Sequence, residues 1–131
     1  MELRQLPSGP TLTLPDDLQW IDEHLWTPAV ASASYLLTGA LLIESATRQA
    51  GRPITLQAPD DMAWVSRMTV DRLYERASVP GRTFELQLVD GRALTVAFRH
   101  QDGAIEAQPV LGCGGLAPDS RWRVAIRLMQ V

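Results

Sequence analysis

The sequence predicts a mainly β chain with one helix, folded as an antiparallel β-sandwich or open barrel with the helix alongside. Three observations carry that expectation. Residues 84–98 alternate apolar and polar on either side of Asp90-Gly91, residues 121–131 hold the longest alternation in the chain, and only residues 70–77 repeat apolar side chains at helical spacing. A sheet that is apolar on one face must bury it against another element, which leaves two layers or a barrel.

The C-terminal half is the most regular. Phe84, Leu86 and Leu88 face one way while Glu85 and Gln87 face the other, and Leu94, Val96 and Phe98 resume the pattern after the turn. Asp90-Gly91 is a dipeptide favoured in two-residue type I′ turns, so a tight hairpin is expected, with Gly91 at positive φ. A strand over residues 104–110, an irregular glycine-rich loop over residues 111–120 and a final strand follow. That last strand places Trp122, Val124, Ile126 and Leu128 on its apolar face and Arg121, Arg123 and Arg127 opposite. Four consecutive antiparallel strands thus share one apolar face.

Val70, Leu73, Tyr74 and Ala77 stand at i, i+3, i+4 and i+7, with Asp71, Arg72, Glu75 and Arg76 on the solvent side of the helix they predict. Ser66 or Thr69 is placed to cap it, and Val79-Pro80-Gly81 ends it. Earlier in the chain, Pro7-Ser8-Gly9-Pro10 is a turn, and residues 11–14 alternate as a short edge strand or arm. Residues 16–28 read as a loop or one short strand that mixes Trp20 and Trp26 with Asp16, Asp17, Asp22, Glu23 and His24. Residues 29–34 are small and read as a connector. Residues 36–43, the longest apolar run, are expected as a buried core strand with a bulge at Gly39, a helix over residues 44–50 being the competing local reading. Ile54-Thr55-Leu56 begins the next strand.

At 131 residues the chain is expected to be one domain, with residues 1–28 as an arm or interface segment. One cysteine, Cys113, excludes an intramolecular disulfide and a cysteine metal cluster. All 12 basic residues are arginine, and the net charge is −3 with no basic block, so the electrostatic footprint of a nucleic-acid binder is missing. No apolar run approaches the roughly 20 residues that span a bilayer, and the first residues lack a signal-peptide core; an aqueous compartment, by default the cytosol, is the expectation.

Chemistry-bearing residues are sparse. His24 and His100 are isolated, no G-x-S-x-G elbow occurs, and Cys113 sits in a glycine loop without a nearby base. Asp16-Asp17 and Asp60-Asp61 lack calcium-loop spacing and read as solvated turns. No catalytic residue, metal, cofactor or small-molecule ligand is expected. Trp122 reads as core. Trp20 and Trp26, set among carboxylates, suit a subunit interface as well as a core.

The phrases L-P-D-D-L-Q-W-I-D-E-H-L-W-T-P-A-V (residues 14–30), L-T-G-A-L-L-I-E (residues 37–44) and A-G-R-P-I-T-L (residues 50–56) resemble, in their order, the small tail and baseplate structural proteins of long-tailed bacteriophages. The resemblance covers about a third of the chain. It implies a tail-tube-like β-sandwich flanked by a helix, assembled as a ring, often hexameric, at the distal end of the tail tube. The implied partners are further copies of the chain and the neighbouring tube and baseplate proteins, with DNA passing through without specific binding. The implied place is the virion tail, assembled in the bacterial host cytoplasm. On this reading Trp20, Asp22, Glu23 and Trp26 form the interface, and Glu85 and Gln87 line the lumen. A small β-barrel module for a peptide or ligand is the alternative, and an enzyme with an unrecognised site the third.

Overall fold

The computed structural model describes residues 1–59, 61–111 and 116–131. Asp60 of the Asp60-Asp61 pair and residues 112–115, with Cys113, lie outside the described residues. The chain is mainly β with one helix, its strands antiparallel, as the alternation predicts.

The long final strand β11 (Arg121–Gln130) organises the sheet. On one side its C-terminal half pairs with β9 (Ala93–Phe98) and its N-terminal half with β10 (Ile105–Pro109). On the other it pairs with β6 (Pro53–Gln57) and then β7 (Val65–Ser66). From β9 the sheet continues through β8 (Phe84–Gln87), β1 (Glu2–Gln5) and β2 (Thr11–Thr13), and from β6 it ends at β3 (Gln19–Trp20). Along these strands the inward positions close on a single core: Leu3, Ile54, Leu56, Phe84, Leu86, Val96, Ile126 and Leu128 are all fully or almost fully buried. Each such side chain stabilises the fold by roughly 1.5–3 kcal/mol.

Helix α1 (Arg67–Ala77) lies against β7, β10 and β11. The Ser66 hydroxyl accepts from the Thr69 N–H at 3.3 Å, satisfying one of the free donors of the first turn. Val70 and Leu73 are buried as the spacing predicts, but the stripe turns toward Arg76 instead of Tyr74. Tyr74 is half exposed, its hydroxyl donating to the Ile105 carbonyl. Arg76, expected on the solvent side, is buried because β1 and the turn that follows it lie there and offer it the carbonyls of Leu3 (3.3 Å) and Pro10 (3.1 Å).

Two further expectations are corrected. The first 20 residues are built into the sheet and do not extend as an arm: Leu3, Leu12, Leu14 and Leu18 are core residues, and β1 bridges β2 and β8. The turn between β8 and β9 has three residues, not two. Leu88 N–H donates to the Arg92 carbonyl and Gly91 N–H to the Leu88 carbonyl, with Gly91 at φ 94°, the geometry of a type I turn closed by a glycine bulge.

The largest correction concerns residues 29–47. The expected connector is a strand, β4 (Ala29–Tyr35), and the expected core strand is a turn followed by β5 (Leu41–Thr47). These two pair only with each other, outside the main sheet. The apolar run is therefore solvent-exposed: Leu37 is fully exposed, Ile43 61% and Leu41 50%. Gly39, expected at a bulge, turns the hairpin at φ 84°.

Candidate functional site: an exposed apolar hairpin and its root

Seven cross-strand pairs run from Ala29↔Thr47 to Tyr35↔Leu41, so alternation gives the hairpin two faces. One carries Ala31, Ala33, Tyr35, Leu41 and Ile43 with Ser45 and Thr47. The other carries Val30, Leu42 and Ala46 with Ser32, Ser34 and Glu44. Glu44 is the only charge from residue 29 to residue 47. The row of alanines on β4 leaves that face low, with Tyr35, Leu41 and Ile43 rising at the end near the turn.

The hairpin's edges are open as well. The bonds from Arg48 N–H to the Pro28 carbonyl (2.7 Å) and from Leu36 N–H to the Ala40 carbonyl (2.8 Å) fix the phase of the ladder. In that phase the peptide groups of residues 31, 33 and 35 on one strand, and 41, 43, 45 and 47 on the other, point away from the hairpin. Neither strand pairs with any other among the described residues. A two-stranded ribbon of this kind is marginal by itself in water and a ready template for another chain.

The interface residues expected from sequence gather at the base of this ribbon. Trp20, on the edge strand β3, is half-buried against the core, its indole N–H donating to the Pro53 carbonyl at 3.2 Å. The Arg52 guanidinium stacks between the two indoles, 4.6 Å from the Trp20 ring centre and 5.9 Å from that of Trp26. Arg48 approaches Trp26 at 5.8 Å and Arg92 approaches Trp20 at 5.7 Å. Asp22 accepts from the Thr55 N–H (2.9 Å) and hydroxyl (2.8 Å). Glu23 pairs with Arg92 at 2.8 Å, and its carbonyl accepts from Arg52 at 2.7 Å. Hydrogen bonding to Glu23 first, and then to Asp90, raises the Arg92 guanidinium above its ordinary value. The four residues are thus brought together and tie the segments that flank the ribbon to the sheet, while their neighbours Ile21 and Leu25 are exposed.

Glu85 and Gln87 lie apart from this, on the outward face of β8. Glu85 pairs with Arg4 across the strand at 2.7 Å, and Gln87 is exposed. Arg127 pairs with Glu106 at 3.1 Å, and Arg121 lies over the Trp64 ring at 5.5 Å. Trp122, expected in the core, is half-buried at its margin under Arg67. Among the described residues no three His, Cys, Asp or Glu side chains converge as a metal site, and no helix is long and apolar enough to cross a membrane.

Sequence reasoning missed the ribbon itself. Its signal was two seven-residue runs flanking a glycine, obscured because the leucines on both sides of Gly39 read as one buried strand. Comparison with protein-family models, with curated proteins and with solved structures finds no match.

Proposed function

We propose that this chain is a self-assembling structural subunit whose copies join through the β4–β5 hairpin into a ring at the distal end of a bacteriophage tail, between tube and baseplate. The observation that carries the assembly is the exposed, nearly uncharged ribbon. The chain exposes 8162 Å² of surface, whereas a compact monomer of 14.5 kDa exposes about 6,900 Å². The excess of roughly 1,300 Å² accords with an element that projects from the main sheet instead of packing on it. A projecting element that fits a different patch on the next copy makes a head-to-tail contact, which gives a ring where the rotation between copies closes and an open filament where it does not. The tail position rests on the resemblance of residues 14–30, 37–44 and 50–56. Six copies at −3 each would total −18, a charge that suits DNA passage without a grip on its phosphates.

The test is sedimentation velocity with electron microscopy on the parent and on a Leu41→Lys, Ile43→Lys double variant. The parent is expected to form ring-sized species that grow with concentration. The variant, altered only at exposed positions, is expected to stay monomeric and keep its melting temperature. A parent that remains monomeric at high concentration overturns the reading.

A further inference from the structure

Apart from the hairpin, one cavity gathers more positive charge than the single carboxylate in its lining balances. It has a volume of about 370 Å³ and lies between α1 and the turn joining β1 to β2, lined by Gln5, Pro10, Thr11, Arg72, Glu75, Arg76 and Arg82. Arg76 is only 8% exposed, yet its hydrogen bonds go to two neutral carbonyls, those of Leu3 and Pro10. Arg82 makes one long contact, 3.4 Å, to the Gln5 side-chain carbonyl. Among the described residues neither these two nor Arg72 has an ion pair with a carboxylate. Burial, and after it the neighbouring Arg72, push the Arg76 guanidinium below its ordinary value, with Glu75 opposing. A buried cation that no carboxylate pairs directly is costly.

From this arrangement we infer that the cleft between α1 and the β1–β2 turn is an oxyanion site that takes a phosphate group. Three guanidiniums against the single carboxylate of Glu75 leave two positive charges, which a phosphate dianion balances and a single carboxylate does not. Guanidinium forks match phosphate oxygens with paired, charge-assisted hydrogen bonds. Gln5 and Thr11, in the same lining, carry neutral polar side chains. The cavity is larger than one phosphate, so the group can arrive free or carried on a small phosphorylated ligand. This binding is independent of assembly through the hairpin.

The probe is inorganic phosphate at about pH 8, where the dianion predominates. It is titrated at constant ionic strength with sodium chloride as balance, while the side-chain Nε–H signals of Arg72, Arg76 and Arg82 are followed by nitrogen-edited NMR. Saturable shifts of these three signals, with Kd near or below about 1 mM, are expected. An Arg72→Gln, Arg82→Gln variant keeps Arg76 and its structural bonds, so it should fold like the parent and bind at least about tenfold more weakly. Absence of saturable shifts, or equal binding by the variant, overturns the site. An equal response to acetate overturns the phosphate assignment.

Discussion

The Arg52 guanidinium lies 4.6 Å from the centre of the Trp20 ring and 5.9 Å from that of Trp26, joining the segments that enter and leave the exposed hairpin. Trp20 gives the hairpin a stiff base: its ring takes Arg52 and Arg92, and its N–H fastens the start of β6 through the Pro53 carbonyl. Trp20→Ala removes half-buried aromatic area together with these contacts, and is expected to cost about 2–4 kcal/mol in urea denaturation at concentrations where the chain is monomeric. Full retention of monomer stability with loss of assembly would instead make Trp20 a residue of the interface alone.

Two apolar stretches are expected to answer mutation in opposite ways. Phe84 is fully buried and meets Phe98 edge to face, ring centres 5.2 Å apart at 78°. Phe84→Ala should therefore destabilise the monomer by about 3–5 kcal/mol. Leu41→Ala, in the hairpin, should change monomer stability by no more than about 0.5 kcal/mol. Thermal unfolding of both variants at low concentration decides this, and a large loss for Leu41→Ala would place the hairpin against its own sheet.

That contrast marks where the sequence could be read and where it could not. The strands over residues 84–98 and 121–130 were legible because alternation states both the element and the face it buries. The helix was legible at Val70 and Leu73 for the same reason. Hydrophobicity shows that a surface avoids water; it does not show whether its own chain or another molecule covers it. Residues 36–43 therefore read as core in sequence and lie exposed in the fold. Arg76 was misread because its partners are two backbone carbonyls, and a sequence gives no sign of where such carbonyls will lie. The cluster at the hairpin's root was half legible: Trp20, Asp22, Glu23 and Trp26 stood out by composition, but their partners Arg48, Arg52 and Arg92 lie 22 or more residues further along.

The turn between β8 and β9 should give a pH signature. Asp90 accepts from the Arg92 backbone N–H at 3.0 Å, and this bond above all holds its carboxyl below the ordinary 3.8. A carboxyl whose folded value is depressed contributes stability above its unfolded value and loses it as pH falls through the folded one. The stability difference between the parent and Asp90→Ala is therefore expected to be constant near neutrality and to shrink as pH drops below about 3.9. Denaturation series at successive pH values check this; a difference that widened in acid would reverse the sign.

Gly91 tests the same turn through the backbone. Its φ of 94° lies where a Cβ is disfavoured, and a Cβ built there would meet no neighbouring atom within 4 Å. Any cost of substitution is thus conformational and not steric packing against the rest of the fold. Gly91→Val, β-branched, should lose about 1–3 kcal/mol, whereas Gly91→Asn, which tolerates the left-handed region better, should lose about 1 kcal/mol or less. The three-residue loop adds a second expectation. Deleting Val89 to force a two-residue turn should cost more than Gly91→Asn, because the Leu88 N–H would lose the geometry of its 2.8 Å bond to the Arg92 carbonyl. If the deletion were neutral, the β8–β9 register would be set by the core pairs Phe84↔Val96 and Leu86↔Leu94 alone, with the turn following passively.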